Sequence, residues 1–234
     1  MIMKLITKTT AVLTLMTMAG CASERKQDEA YRAKQSPGIS AMADNPEFET
    51  AKSPSITADT QFAAGQLAES QGSFDLAQQR YEQALQIDPK HQRTLYRSAT
   101  VYTQLKQYPA AIGRWNRYVE ASNGNATGYN NLALTYELVA KPLEAETTYK
   151  KGVARNPQDE TLRVNYGLML ARVGRIAEAE AQLKKVLQPA EAAYNVGSVY
   201  EELGKKEQAR KKYKEALSLD PKMTDAQTRL AAIE

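Results

Sequence analysis

The 234-residue chain holds one cysteine, one histidine, one tryptophan and three phenylalanines. Each scarcity removes a class of chemistry. A zinc site takes three or four ligands drawn mainly from histidine and cysteine. Here the sole histidine is His91, and Cys21 stands far from it near the N-terminus. A Ser-His-Asp arrangement would have to run through His91, and no nucleophile-elbow motif accompanies it. Glycine motifs of the Walker or dinucleotide-binding type are missing. Apolar residues never run to the ~20 that a transmembrane helix needs. Charge is also short on one count: the net value is +4, and about +2 once Lys4 and Lys8 are set aside with the acid-free residues 1–20. That near-neutral remainder gives no electrostatic footprint for nucleic acid. The sequence therefore predicts no catalytic residues, no metal and no cofactor.

What is present begins with Lys4 and Lys8 ahead of a short apolar stretch, Ala11 to Met18, closing on Met18-Ala19-Gly20-Cys21. This is the layout of an export signal. Its end resembles the lipobox of bacterial lipoproteins, with Met18 where leucine is commonest. The resemblance implies cleavage before Cys21 and acylation of its thiol and new amino group. The lone cysteine agrees with this, because an exported thiol without a disulfide partner is a liability unless it is consumed. Several acyl chains on one residue anchor stably where one alone binds marginally. Ala22 and Ser23 follow, not the aspartate usually needed for inner-membrane retention in enterobacterial-type lipoproteins. The resemblance thus implies an outer-membrane anchor facing the periplasm of a Gram-negative bacterium.

Residues 21–57 combine a charged run, Glu24 to Glu29, with the breaker pairs Pro37-Gly38, Asn45-Pro46 and Ser53-Pro54. Apolar residues are too sparse to offset the entropy of ordering. We read this segment as a flexible tether between the acylated cysteine and the folded body; the alternative is that part of it packs against the array.

From residue 58 the sequence repeats. Ala77, Ala111, Ala145 and Ala179 lie 34 residues apart; Tyr81, Trp115, Tyr149 and Leu183 follow them by four, and Gly65, Ala99, Ala133 and Gly167 precede them by twelve. A further copy carries Gly197, Ala209 and Tyr213 after a spacing shortened to 30. The period and the small-residue and aromatic positions resemble the tetratricopeptide repeat. That resemblance implies an all-α, right-handed superhelix of about five helix-turn-helix units over 58–91, 92–125, 126–159, 160–189 and 190–223, with 224–234 as a capping helix. A small residue at the Gly65 position lets the first helix of each pair (helix A) approach the second (helix B), and the ring at the Tyr81 position fills the gap to the next repeat. The expected pairs run 58–71 with 74–87, 92–105 with 108–121, 126–139 with 142–154, 160–173 with 176–187, and 190–203 with 206–219. Repeat four lacks about a turn near Gln188-Pro189.

In such repeats the working surface is the concave groove lined by A helices. The candidate partner-binding residues are Tyr96, Arg97, Asn130, Asn131, Leu134, Val164, Asn165, Leu168, Tyr194 and Asn195. Asn131, Asn165 and Asn195 share one helix-A position, with Arg97 in register before them. An amide donates and accepts at once, so a row of them can hold the backbone of an extended peptide; the same row also suits helix packing. A basic run, Lys205 to Lys214, reads either as the solvated outer face of a helix or as a contact for anionic lipid or an acidic partner.

Among lipoproteins of this plan the chain looks most like the assembly lipoprotein of the Tad (Flp) pilus. The resemblance is carried by Leu162-Arg-Val-Asn-Tyr-Gly-Leu-Met-Leu-Ala-Arg-Val-Gly-Arg175 and, after the shortened repeat, Ala192-Ala-Tyr-Asn-Val-Gly-Ser-Val-Tyr200. It implies a lipid-anchored periplasmic scaffold, held to the membrane by its acyl chains, that docks a secretin or another pilus or secretion component. A type IV pilus pilotin, or an adaptor for cell-wall hydrolases or envelope proteases, shares the same plan.

Overall fold

The computed structural model describes residues 55–233. The signal, Cys21 and nearly all of the tether lie outside the described residues. Within them every regular element is a helix: α1 (Ala58–Ser70), α2 (Phe74–Ile87), α3 (Gln92–Gln104), α4 (Tyr108–Ala121), α5 (Ala126–Leu138), α6 (Pro142–Arg155), α7 (Glu160–Arg172), α8 (Ile176–Leu183), α9 (Pro189–Glu202), α10 (Lys206–Leu219) and α11 (Thr224–Ile233). No helix among them is long and apolar enough to cross a membrane.

Several helix starts are written in the sequence. The Thr57 and Thr60 side chains each accept from the other's backbone N–H ahead of α1. The Asn125 and Asp159 side chains accept from Gly128 N and Leu162 N at 2.8 Å, satisfying donors that a helix start leaves orphaned. Pro142 and Pro189 open α6 and α9, where a missing N–H costs nothing.

The A-to-B turns share one backbone device. Gly72, Gly174 and Gly204 sit at φ of 73°, 82° and 70°, and the same register is filled by Lys106 at 60° and Ala140 at 55°. Left-handed backbone costs a residue with a Cβ about 1–2 kcal/mol. Lys106→Gly and Ala140→Gly are therefore expected each to raise stability, by up to about 1 kcal/mol after the added freedom of the unfolded chain is deducted. Urea denaturation of the single variants measures this, and no change in midpoint would argue against strain at these turns.

The repeat positions become the core. Ala77, Ala111, Ala145, Ala179 and Ala209 have no exposed surface, and Tyr81, Trp115, Tyr149, Leu183 and Tyr213 are at most 3% exposed. The small helix-A residues are required by those large ones: a Cβ on Gly197 would stand 2.7 Å from the Tyr213 ring, and one on Gly167 would stand 2.8 Å from Leu183. Trp115 and Tyr149 instead face Ala99 and Ala133.

Within each unit the A and B helices pack antiparallel, and each B helix then packs on the next A helix. The A helices also touch one another directly, α5 on α7 and α7 on α9. This tighter packing on the A side makes it the inner layer of an α-solenoid. Helix α11 closes the last hydrophobic face, with Ala226 fully buried against Ala193 and Ala216. Solenoids need such a cap.

One helix departs from the expected bounds. Helix α8 ends at Leu183, four residues before the expected 187. Lys184 still donates to Glu180 O, and residues 185–187 continue as tight turns on the carbonyls of Gln182 and Leu183. Pro189 is the cause: it forces Gln188 into extended backbone (ψ 153°), so no full B helix fits before α9 begins. Leu187 still packs against Leu183 and Val196, which keeps the repeat interface closed.

Candidate protein-binding groove

The ten groove residues singled out in the sequence all lie on A helices, α3, α5, α7 and α9, and all are half-buried. Their neighbours differ. Tyr96 stands edge-on to Trp115 and Tyr118, with ring centroids 5.4 and 5.6 Å away. Tyr194 leans on Tyr213 at 5.6 Å. Val164 packs against the Leu183 cluster and Leu168 against the Tyr166 cluster, so both offer an edge and not a full side chain.

The amide row splits into two kinds of anchoring. Asn131 and Asn195 each donate Nδ2–H to the carbonyl four residues back on their own helix, Thr127 O at 2.9 Å and Glu191 O at 2.8 Å. Asn165 donates to Asn130 Oδ1 at 2.7 Å, across the α5–α7 interface. In all three the amide is oriented by one bond, and its own Oδ1 accepts nothing from the other described residues. Arg97 is held by the Glu69 carboxylate.

Glu69, Glu137 and Glu201 reveal a pattern that the sequence reading missed. Each accepts a hydrogen bond from the ring hydroxyl twelve residues later: Tyr81 to Glu69 at 2.7 Å, Tyr149 to Glu137 at 2.9 Å and Tyr213 to Glu201 at 2.6 Å. A guanidinium from farther along then pairs with each carboxylate: Arg97, Arg172 (3.2 Å) and Arg229 (3.3 Å) respectively. Where the ring is Trp115 the twelve-back residue is Thr103, and where it is Leu183 it is Ala171. The signal was legible as a matched pair at fixed spacing: acid with phenol, hydroxyl with indole (Trp115 Nε1 donates to Thr103 Oγ1 at 3.4 Å), and alanine with leucine. Arg229 on the capping helix also extends the row Arg97, Asn131, Asn165, Asn195 by one more register step.

These buried phenols carry a pH consequence. Burial first, and then the adjacent glutamate, raises Tyr81, Tyr149 and Tyr213 well above the ordinary tyrosine range. Burial likewise raises Tyr102 and Tyr166. Burial raises the Glu137 carboxyl too, against the pull of Tyr149 and Arg172. A tyrosine raised in the folded state stabilises fully below its unfolded pKa of about 10 and loses that contribution as pH climbs further. We expect unfolding free energy to hold flat to about pH 10 and then fall. Part of the tyrosinate absorbance rise should coincide with loss of helical circular dichroism. A smooth titration at constant helicity to pH 12 or so would contradict this.

Two clefts open on the array, the first beside groove residues Tyr96 and Arg97 and the second on the B-helix side. One of about 440 Å³ lies between α1 and α3, walled by Phe62, Tyr96 and Tyr118 and edged by Arg93 and Arg97. The other, about 420 Å³, lies between α4 and α6 with Tyr129, Leu132 and Tyr136 at its base and the 76%-exposed Leu143 at its rim. No cluster of three or more histidine, cysteine or acidic side chains fit to hold a metal exists among the described residues.

Stacked helix pairs with a continuous inner face define the class of helical-repeat scaffolds, which bind other proteins. Tetratricopeptide-repeat models match residues 68–133, 132–192 and 190–223. The chain belongs to the tetratricopeptide-repeat proteins. Among solved structures it is similar to MamA (22% identical, covering 72% of this chain and 94% of that one, TM-score 0.58). It is also similar to YrrB, described as a TPR protein with an unusual peptide-binding site (23%, 74% and 91%, TM-score 0.53), and to pilF of Pseudomonas aeruginosa (17%, 75% and 82%, TM-score 0.52). At these identities the likeness is one of fold. A curated relative, the general transcriptional corepressor trfA of Dictyostelium discoideum, is 29% identical over 125 residues. That match spans 53% of this chain but only 9% of the relative.

Proposed function

We propose that the chain is a lipid-anchored periplasmic scaffold at the outer membrane that holds an extended segment of a partner protein in its A-helix groove. In this reading the partner is a secretin or another component of a Tad (Flp)-type pilus. The observation that carries the groove assignment is the row Asn131, Asn165, Asn195: each amide is fixed by one bond and keeps a carbonyl oxygen for a main-chain N–H. Peptide binding is part of the description of YrrB, and a pilus-named protein, pilF, shares the fold; both support the direction of the reading. Cys21 supplies the anchor, residues 22–57 the reach, and the groove the selection.

Two strains test it. Deleting the gene is expected to abolish surface pili and leave cell-wall turnover normal. Cys21→Ser is expected to release the protein from the membrane fraction and to reproduce the loss of pili. Normal piliation in the deletion strain would sink the pilus assignment, and defective wall turnover in its place would favour the hydrolase-adaptor reading.

A further inference from the structure

The outer face of the last repeat differs from that of the two repeats before it. On α6, Lys150 is paired with Glu146 four residues earlier, at 2.8 Å. Just after α8 the equivalent Lys184 is paired with Glu180 at 2.9 Å. One repeat further, on α10, the equivalent lysine is Lys214, but Arg210 stands where the glutamate would be. The carboxylate that neutralised this position is replaced by a second cation.

The other acids of this face are already engaged. Glu180 is bonded to both Lys184 and Lys212, and Glu215 to Lys212. Glu207 is held by Arg210 and Glu178 by Arg175. Burial would raise Glu180, yet the bonds from Lys212 and Lys184 outweigh it and hold the carboxyl below its ordinary range. Lys185, Lys205, Lys206, Lys211 and Lys214 are all exposed and form no ion pair among the described residues. On α10 they run from Lys205 just before the helix to Lys214, about 13 Å at 1.5 Å per residue. Successive lysines of the run are within about 8 Å of rise of one another, the screening length at physiological salt, so neighbouring charges act together.

We propose that this lysine face, formed by α10 and the turn after α8, rests on an anionic phospholipid surface. The chemistry of the face selects that occupant. The five free cations are lysines, compact point charges without the planar fork that grips one carboxylate or phosphate bidentately. They suit a delocalised plane of charge more than a single acidic side chain. No aromatic residue stands among the exposed residues of α10, Lys206, Glu207, Gln208, Lys211, Lys214, Ser218 and Leu219, so the face offers no stacking platform for nucleic-acid bases. Leu219, 53% exposed where α10 ends, supplies one apolar side chain for the headgroup boundary. Lysine clusters next to a membrane are drawn to anionic lipid in this way. The face lies on the B layer, opposite the groove, so lipid contact leaves the A helices open to a partner. The inference is independent of the groove reading.

The test uses the chain with Cys21→Ser, so that no acyl chain contributes, sedimented with vesicles of phosphatidylethanolamine containing about 30% phosphatidylglycerol or with vesicles of phosphatidylcholine alone. The expected result is binding to the anionic vesicles at least about 10-fold above the neutral ones, lost at about 0.5 M salt. The combined variant Lys185→Glu, Lys206→Glu, Lys211→Glu, Lys214→Glu should fall to the neutral-vesicle level with unchanged circular dichroism. Lys90→Glu with Lys106→Glu, which reverses two exposed lysines in the first two repeats, should bind as the parent does, and so should Asn165→Ala with Asn195→Ala. Equal binding to both vesicle types, or full binding by the fourfold variant, overturns the proposal. Binding to polyglutamate without binding to the anionic vesicles also overturns it and assigns the face to an acidic protein.

Discussion

Tyr149→Ala is expected to cost about 3–5 kcal/mol of unfolding free energy. The side chain has no exposed surface. Its ring stacks on Tyr166 at 5.5 Å, its hydroxyl donates to Glu137, and Ala133 sits across from it in the same cluster. Truncation leaves a ring-sized void at the junction of the third and fourth repeats and withdraws a donor from a carboxylate that burial already disfavours. In a solenoid the loss is not local, because each repeat is stabilised mainly by its neighbours. Breaking the central junction should therefore split one cooperative transition into two. Tyr149→Phe separates the terms: it keeps the packing, removes only the hydroxyl, and should cost about 1–2 kcal/mol. Urea denaturation followed by circular dichroism reads both variants. A Tyr149→Ala chain that unfolds within about 1 kcal/mol of the parent, in one transition, would mean that the repeat interface does not depend on this ring.

The second large effect is functional. Asn165→Ala combined with Asn195→Ala should weaken partner capture about tenfold or more while leaving the melting temperature within a few degrees of the parent. Each amide bond to a peptide main chain is worth about 0.5–1.5 kcal/mol net, and about 1.4 kcal/mol is a factor of ten in affinity. The stability cost is small because both side chains are only half-buried. What they hold within the molecule is Asn130 in one case and an intrahelical carbonyl in the other. Pull-down from solubilised envelopes, with thermal melts on the same preparations, measures the two quantities together. Unchanged capture would remove the amide row from the binding surface.

Much of the fold was legible because the repeat states the same packing rule five times. Ala77 with Tyr81, and Gly65 opposite them, is a local sentence about how two helices meet, and each copy at period 34 restates it. The break in that period, 30 residues where Pro189 intrudes, announced the irregular fourth unit. It did not say where α8 would stop, since that depends on how residues 184–187 fold back to keep Leu187 in the core. The candidate groove was legible only as positions. That Asn131 and Asn195 bond to their own helices while Asn165 bridges two repeats depends on the separation of α5 and α7, which no spacing encodes. The Tyr–Glu pairs were within reach: an acid twelve residues before each phenol, and none before Trp115 or Leu183, is a pattern in one dimension. It went unread because Glu69, Glu137 and Glu201 read as groove-lining positions, and nothing in one dimension places the ring of the following B helix beside them. The neutralised lysines Lys150 and Lys184 and the unneutralised Lys214 were hidden too, since pairing depends on which side chains share a face.

The central claim is that the A-helix face, and not the outer face, holds the partner. A photo-crosslinking residue placed at Leu134 on α5, and separately at Gln208 on α10, tests it in intact cells. The account predicts a discrete protein adduct from the Leu134 position that disappears in the Asn165→Ala, Asn195→Ala background, and none from Gln208. A protein adduct formed only from Gln208, or one from Leu134 that survives the double substitution at full yield, would contradict it.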